Sequence, residues 1–229
     1  WKMFIAGKPS NMSHPHTSEQ LADIRRNMNF TYGAVTQLMD DREIPYDSEF
    51  GRYDFLAFDH AVNTLHMNQL TPYLELNEAS DALKESEQEV DEDKYIHRLK
   101  ALLNHCRRLY NPVHVSRWMF DIGFNQSFCV QCHESAEHFI LRFKQAAALI
   151  RQTFPQARVG GVGFFTAYPL SLMENLLDRM NAHKITPDFI SLNCYPYELT
   201  AKGLVYTADA ASLIKKITGI QAVLRKHQM

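Results

Sequence analysis

Residues 117–165 read RWMFDIGFNQSFCVQCHESAEHFILRFKQAAALIRQTFPQARVGGVGFF. The apolar runs at 117–124 and at 157–165, the second of which contains Gly160 and Gly161, are predicted to be β-strands. The stretch between them, residues 134–154, is predicted to be an amphipathic helix. A strand, a helix and a second strand in this order are typical of parallel strands joined by a crossover helix. This stretch therefore predicts an α/β fold.

The same alternation continues on both sides of this unit. Further strands are predicted at residues 2–6, 30–36, 71–76 and 188–193, and further helices at about 18–28, 56–65, 93–110, 170–182 and 208–227. These elements make six β/α units, whereas a complete (β/α)8 TIM barrel has eight. We therefore expect one domain over residues 1–229, an incomplete TIM-type barrel that stops before strands seven and eight. Because the chain begins at Trp1, we expect an excerpt of a longer protein, with the rest of the barrel on the same polypeptide or on a partner.

Two polar stretches follow predicted strands and are expected to be loops. Residues 37–53 contain Asp40, Asp41, Pro45 and Gly51, and residues 77–93 are strongly acidic. The acidic stretch is expected to be a solvated surface. Long loops at the carboxyl ends of barrel strands are where barrel enzymes keep their sites.

The composition excludes several classes of function. With 24 Lys and Arg against 26 Asp and Glu, the net charge is −2, and no segment is basic enough to bind nucleic acid directly. No apolar run is long enough to cross a membrane, and the first residues lack the pattern of a secretory signal. Four cysteines among 229 residues are too few for a disulfide scaffold. We therefore expect a soluble, cytoplasmic segment with reduced thiols.

One short motif suggests a cofactor. Cys129, Cys132 and His133 form the C-x-x-C-H pattern of covalent haem attachment, and a zinc site could add His138. Haem attachment would need an exported chain, and structural zinc would need a second ligand pair that the sequence does not provide. The interpretation favoured here is a pair of loop thiols, with no cofactor and no metal.

Several blocks together carry a resemblance to a known family. They lie at residues 53–55 (YDF), 70–76 (LTPYLEL), 115–121 (VSRWMFD), 158–161 (RVGG) and 188–191 (DFIS), the last followed by Tyr195 and Pro196. In order and spacing they resemble glycoside hydrolase family 39, the β-xylosidase-like group of (β/α)8 glycosidases. A similar barrel stands behind the DNA-binding helices of some AraC-type transcriptional regulators, which are thought to sense sugars with it. This chain is most similar to that group.

The chain departs from the family pattern at the catalytic positions. Where the family's fourth strand ends in Trp-Asn-Glu-Pro, this sequence has Phe124-Asn125-Gln126-Ser127, so the resemblance puts an amide at the acid/base position. An amide has no titratable proton, and general acid catalysis contributes roughly 10²–10⁴-fold. The family's nucleophile comes from strand seven, which the chain does not contain. The second strand, with Gly33 to Thr36, lacks the usual Arg and His, and Asn193 stands where a His is usual.

The resemblance also implies which side chains would meet a ligand at the mouth of the barrel. Amide and carboxylate groups fix sugar hydroxyls, and aromatic rings offer stacking faces. Ordinary barrel packing is the alternative for the aromatic residues, and pairing with a buried arginine is the alternative for the carboxylate. The candidate ligand-binding residues are Asn125, Gln126, Glu75, Phe124, Asn193, Tyr195 and Tyr32, all expected near the carboxyl ends of the strands.

These observations lead to a carbohydrate-binding or sugar-sensing domain, expected to be the effector domain of an AraC-type regulator. It would bind a carbohydrate, touch DNA only through a segment outside this one, and could form a homodimer. The first alternative is an active retaining glycoside hydrolase with a relocated acid, for which Glu78, Asp121 and Glu134 are candidates. The second alternative is an interaction module whose exposed barrel edges bind another subunit.

Overall fold

The computed structural model describes residues 3–12, 14–77, 91–123, 136–193, 197–200, 203–206 and 210–227. The first half of the chain contains β1 (Met3–Gly7), α1 (Pro9–Met12), α2 (Pro15–Met28), β2 (Tyr32–Val35), β3 (Tyr46–Asp47), β4 (Arg52–Tyr53), α3 (Leu56–Met67), β5 (Thr71–Glu75) and α4 (Glu92–Leu109). The second half contains α5 (Pro112–Val115), β6 (Met119–Gly123), α6 (Ala136–Thr153), β7 (Arg158–Phe165), α7 (Leu170–Ala182), β8 (Ile190–Asn193), β9 (Tyr197–Thr200), β10 (Gly203–Tyr206) and α8 (Ala210–Lys226).

Six strands form one parallel sheet in the order β1-β2-β5-β6-β7-β8. The sheet is curled, as is seen from side chains of segments that are not neighbours in the sheet but meet across one face. The guanidinium of Arg158 on β7 donates to the hydroxyl of Tyr32 on β2, and the rings of Tyr73 and Phe189 lie 5.8 Å apart. The structure therefore confirms the predicted incomplete barrel of TIM type. We call the inner side of the curl the concave face.

The helices cover the outer side of the sheet. Leu74 of β5 and Phe120 and Ile122 of β6 are completely buried among helix residues such as Leu99 of α4 and Phe143 of α6. Strand side chains alternate between the two faces, so the residues between these apolar ones point to the concave face. This alternation fixes which side chains are available for a site.

Residues 37–53, predicted to be a loop, contain a short hairpin and pack against α4. Tyr46 pairs with Tyr53 in the β3–β4 hairpin. Arg98 of α4 is 1% exposed and donates to the carbonyl of Met39 and to the carboxylate of Asp41, while its guanidinium lies 5.5 Å from the centre of the Tyr53 ring. A buried arginine that takes its partners from one polar stretch holds that stretch in place. Such a contact joins distant residues and leaves no periodic trace in the sequence.

Two of the predicted features lie outside the described residues. These are most of the acidic stretch, residues 78–90, and the haem-like motif with Cys129, Cys132 and His133. Within the described ranges, no helix combines the length and the apolar character that a membrane crossing requires. Among the same residues, no group of three or more His, Cys, Asp or Glu side chains could hold a metal ion.

Candidate functional site

A buried polar cluster occupies the concave face. It consists of Tyr73 and Glu75 of β5, Asp121 of β6 and Ser191 of β8, and we refer to these four residues as the concave cluster. Glu75 and Asp121 are partners in the parallel register of β5 and β6. The Tyr73 hydroxyl donates to Asp121 Oδ2, and the Ser191 hydroxyl lies close to the same carboxylate. The curl of the sheet therefore brings polar side chains from three strands together.

Burial makes both acids of the concave cluster favour their neutral form. Asp121 is 3% exposed, and this burial raises the pKa of Asp121 to about 6, although the hydrogen bond from Tyr73 and the nearby Ser191 hydroxyl oppose the rise. Burial, followed by the nearby charge of Asp121, raises the pKa of Glu75 to about 8. A glutamic acid that keeps its proton at neutral pH can both donate and accept a hydrogen bond.

Strand β7 carries a bulge beside this cluster. Gly161, Val162 and Gly163 have φ angles of 117°, 81° and 62°, and the register against β8 shifts between Gly161 and Phe164. One extra residue on β7 accounts for the shift. A β-branched residue with positive φ is uncommon, so surrounding contacts must hold Val162 in place.

Asn193 is one of these surrounding contacts. Its side-chain Nδ2 donates to the carbonyl of Gly163 at 2.8 Å, and its backbone carbonyl accepts from the backbone N–H of Thr166 at 3.0 Å. The backbone N–H of Gly163 also donates to Ser191 Oγ at 2.7 Å. The nitrogen of the Asn193 side chain is thus bound to the bulge. Its side-chain oxygen, Oδ1, remains as the group that could meet a ligand.

Two residues that the sequence analysis did not select hold the end of β6. Gly123 is the last residue of this strand, and its N–H donates to Asn77 Oδ1 at 2.8 Å. Its carbonyl accepts from Arg142 Nη2 at 3.4 Å, and Arg142 Nη1 lies 3.0 Å from Glu92 Oε1. Arg142 interrupts an apolar helix face at a position that is 3% exposed, and this pattern could have identified it as a buried arginine with a specific partner.

The structure places three of the seven predicted ligand-binding residues. Glu75 and Asn193 end β5 and β8, as expected for the mouth of the barrel. Tyr32 is the first residue of β2 and pairs with Thr71, the first residue of β5, so it lies at the opposite end of the sheet. Its ring lies 5.5 Å from the Arg158 guanidinium. Tyr32 therefore does not lie at the mouth of the barrel, where it was predicted. The mouth is formed by the last residues of the parallel strands, and Tyr32 is a first residue.

The other four predicted residues are Phe124, Asn125, Gln126 and Tyr195, and they lie outside the described residues. Tyr73, Asp121 and Ser191 were not selected as ligand contacts, although Asp121 was considered as a relocated acid. An aspartate inside an apolar strand was the available signal for this cluster.

The chain shares its fold with several known structures. It is similar to a family 39 glycoside hydrolase from Xanthomonas axonopodis pv. citri, with a TM-score of 0.78 and 19% identity over 98% of this chain and 48% of that chain. A monomeric β-xylosidase from Caulobacter crescentus CB15 gives a TM-score of 0.76 and 16% identity over 98% of this chain and 49% of that one. A family 10 xylanase from Bispora sp. MEY-1 gives 0.61 and 10%, over 97% and 68%. At these identities the likeness shows the fold alone.

The chain spans about half the length of the two family 39 structures that it matches. No curated protein sequence matches it. The sequence signature of the family described as Glycosyl hydrolases family 39 matches residues 1–228. The chain therefore belongs to glycosyl hydrolases family 39.

Proposed function

We propose that this domain binds a carbohydrate at the carboxyl ends of its strands and does not cleave it. The observation that carries the proposal is the concave cluster, in which a protonated Glu75 stands at a strand end beside the buried Asp121. Neutral hydroxyl-rich ligands are held by groups that donate and accept hydrogen bonds. Family membership supports a sugar as the ligand.

The sequence supports binding without hydrolysis. The resemblance to the family aligns Gln126 with the acid/base glutamate, and an amide there cannot supply a proton. Asp121, the other carboxyl group of the concave cluster, is 3% exposed and accepts a hydrogen bond from Tyr73. A nucleophile must reach the anomeric carbon of the sugar, and a carboxylate enclosed in this way does not.

Titration calorimetry with xylose, xylobiose and a panel of other small sugars tests the proposal. Because Glu75 is protonated at neutral pH, Glu75→Gln is expected to keep the wild-type affinity, whereas Glu75→Leu is expected to weaken it by about tenfold. Glu137→Leu, which changes an exposed glutamate on α6, is the matched control and should bind as the wild type does. No binding heat for any sugar at about 10 mM, a concentration well above a weak Kd, would contradict the proposal.

An active retaining glycosidase is the alternative, and one observation favours it. Glu75 carries a proton at neutral pH, as a general acid must. In that case the chain would release nitrophenol from aryl xylosides, and Glu75→Gln would abolish the release while binding persisted. The combination of retained binding and absent release in the wild type supports the binding function instead.

We also propose that the domain is the sugar-sensing part of an AraC-type regulator. This rests on the resemblance of the barrel and on the replaced acid/base residue. It predicts that the full-length polypeptide carries a helix-turn-helix pair and that sugar changes its affinity for DNA. A mobility-shift titration with and without the sugar measures this change, and an unchanged DNA affinity would argue against a sensor.

A further inference from the structure

A cavity lies at the opposite end of the strands from the concave cluster. It has a volume of about 150 Å³ and is lined by side chains at the amino-terminal ends of β5 and β6, among them Thr71, Trp118 and Arg117. The last turn of α3 contributes His66, and α5 contributes His114. A cavity of about this volume holds a group the size of benzene, so a small ion fits and a nucleotide does not.

Three of the seven side chains that line this cavity are basic. They are one arginine and two histidines, and no carboxylate is among the lining residues. Within the described part of the chain, no side-chain nitrogen of His66, His114 or Arg117 has a hydrogen-bond or ion-pair partner. Burial, followed by the nearby His114, lowers the pKa of His66. Basic side chains that gather around one cavity, with no carboxylate among them, favour an anionic occupant.

The walls of the cavity are held by ring contacts. The His66 ring lies 6.1 Å from the Trp118 ring and 6.3 Å from the Tyr110 ring, measured between centroids, and the Tyr110 hydroxyl donates to Asp59 at 2.7 Å. Trp118 is 1% exposed, whereas Arg117 and His114 are exposed. The cavity thus has a fixed inner wall and a basic, solvent-facing rim, and little ordering is needed when a ligand binds.

We infer that this cavity binds a small oxyanion of the size of phosphate. Arg117 supplies a planar fork of donors that matches two oxygens, the His66 and His114 imidazoles donate to the others, and the Thr71 hydroxyl completes the set. The inference does not depend on sugar binding, because the two sites lie at opposite ends of the strands. A failure at one site therefore leaves the other unaffected.

Titration calorimetry with inorganic phosphate tests the inference, with sodium acetate and sodium chloride as controls. We expect a Kd of about 1 mM or tighter for phosphate and no measurable heat from chloride. Arg117→Gln and His114→Gln should each weaken phosphate binding by about tenfold, since each removes a charge-assisted hydrogen bond. The matched control Arg107→Gln changes an exposed arginine on α4 and should leave the affinity unchanged.

The outcomes separate a built site from general attraction to a basic surface. Glycerol phosphate that binds as tightly as inorganic phosphate identifies a phosphate monoester as the ligand class, and its exclusion identifies the free ion. Phosphate affinity that is the same in wild type, Arg117→Gln and His114→Gln overturns the inference, as does the absence of binding at about 10 mM phosphate. Both variants change exposed side chains, so loss of folding does not obscure the result.

Discussion

Gly161→Ala is expected to lower the free energy of unfolding by about 3–5 kcal/mol, because it adds backbone strain and a steric overlap at one position. Gly161 has a φ of +117°, which a residue with a side chain rarely adopts. A methyl group there would overlap Asp121 Oδ1, and this carboxylate is held by the hydrogen bond from Tyr73. Chemical denaturation followed by circular dichroism measures the loss.

Gly203→Ala separates the two causes. Gly203 has a similar φ of +100°, but no heavy atom lies within 4 Å of the position that its Cβ would take. This variant should lose only the strain energy, about 1–2 kcal/mol. The double variant Gly161→Ala with Asp121→Ala should lose less than the sum of its single variants, since the overlapping carboxylate is gone. Equal losses for Gly161→Ala and Gly203→Ala would show that Asp121 is not where the structure has it.

Glu75→Gln is expected to make the free energy of unfolding less sensitive to a rise in pH between about pH 6 and about pH 8. An acid whose pKa is higher in the folded chain than in the unfolded chain binds more protons when folded, so stability falls as pH rises between the two values. For Glu75 this interval runs from 4.5 to about 8, and for Asp121 from 3.8 to about 6. The wild type should therefore be less stable at about pH 8 than at about pH 5, by about 2 kcal/mol once the partial exposure of Glu75 is allowed for.

The variants assign this pH dependence to one side chain. Glu75→Gln should remove the part of the loss that occurs above about pH 6, where Asp121 is already ionised. Glu137→Gln on the surface of α6 should behave as the wild type. Denaturant midpoints measured across this pH range provide the test, and a wild type whose stability rises from about pH 5 to about pH 8 would contradict the raised pKa of Glu75.

The fold could be predicted because its determinants are local. Apolar runs of strand length alternate with amphipathic runs, and the bounds of α7, residues 170–182, agree with the predicted ones. Strand β8 was predicted from residue 188 but begins at Ile190. Asp188 instead accepts the backbone N–H of Val159 at 2.7 Å with its carboxylate. A side chain that replaces a strand partner cannot be recognised from periodicity.

The candidate site could be predicted only in part, because its contacts join distant segments. Glu75 was found because it ends a recognisable strand. The hydrogen bond from Tyr73 to Asp121 spans 48 positions, and the contact between Arg158 and Tyr32 spans 126. Which residues face one another across the concave face depends on how tightly the sheet curls, and the sequence pattern does not specify that curvature.

The extra residue in β7 has a consequence for how this protein can change over generations. Because of it, Phe164 rather than Gly163 lies opposite Leu192 and is buried in the core under the helices. Loss of one codon between Gly161 and Phe164 would remove the bulge and leave Phe164 opposite Leu192, whereas loss of a codon in the regular part of the strand would turn every later side chain to the other face. A one-residue deletion can therefore be absorbed at the bulge but not in the regular part of this strand.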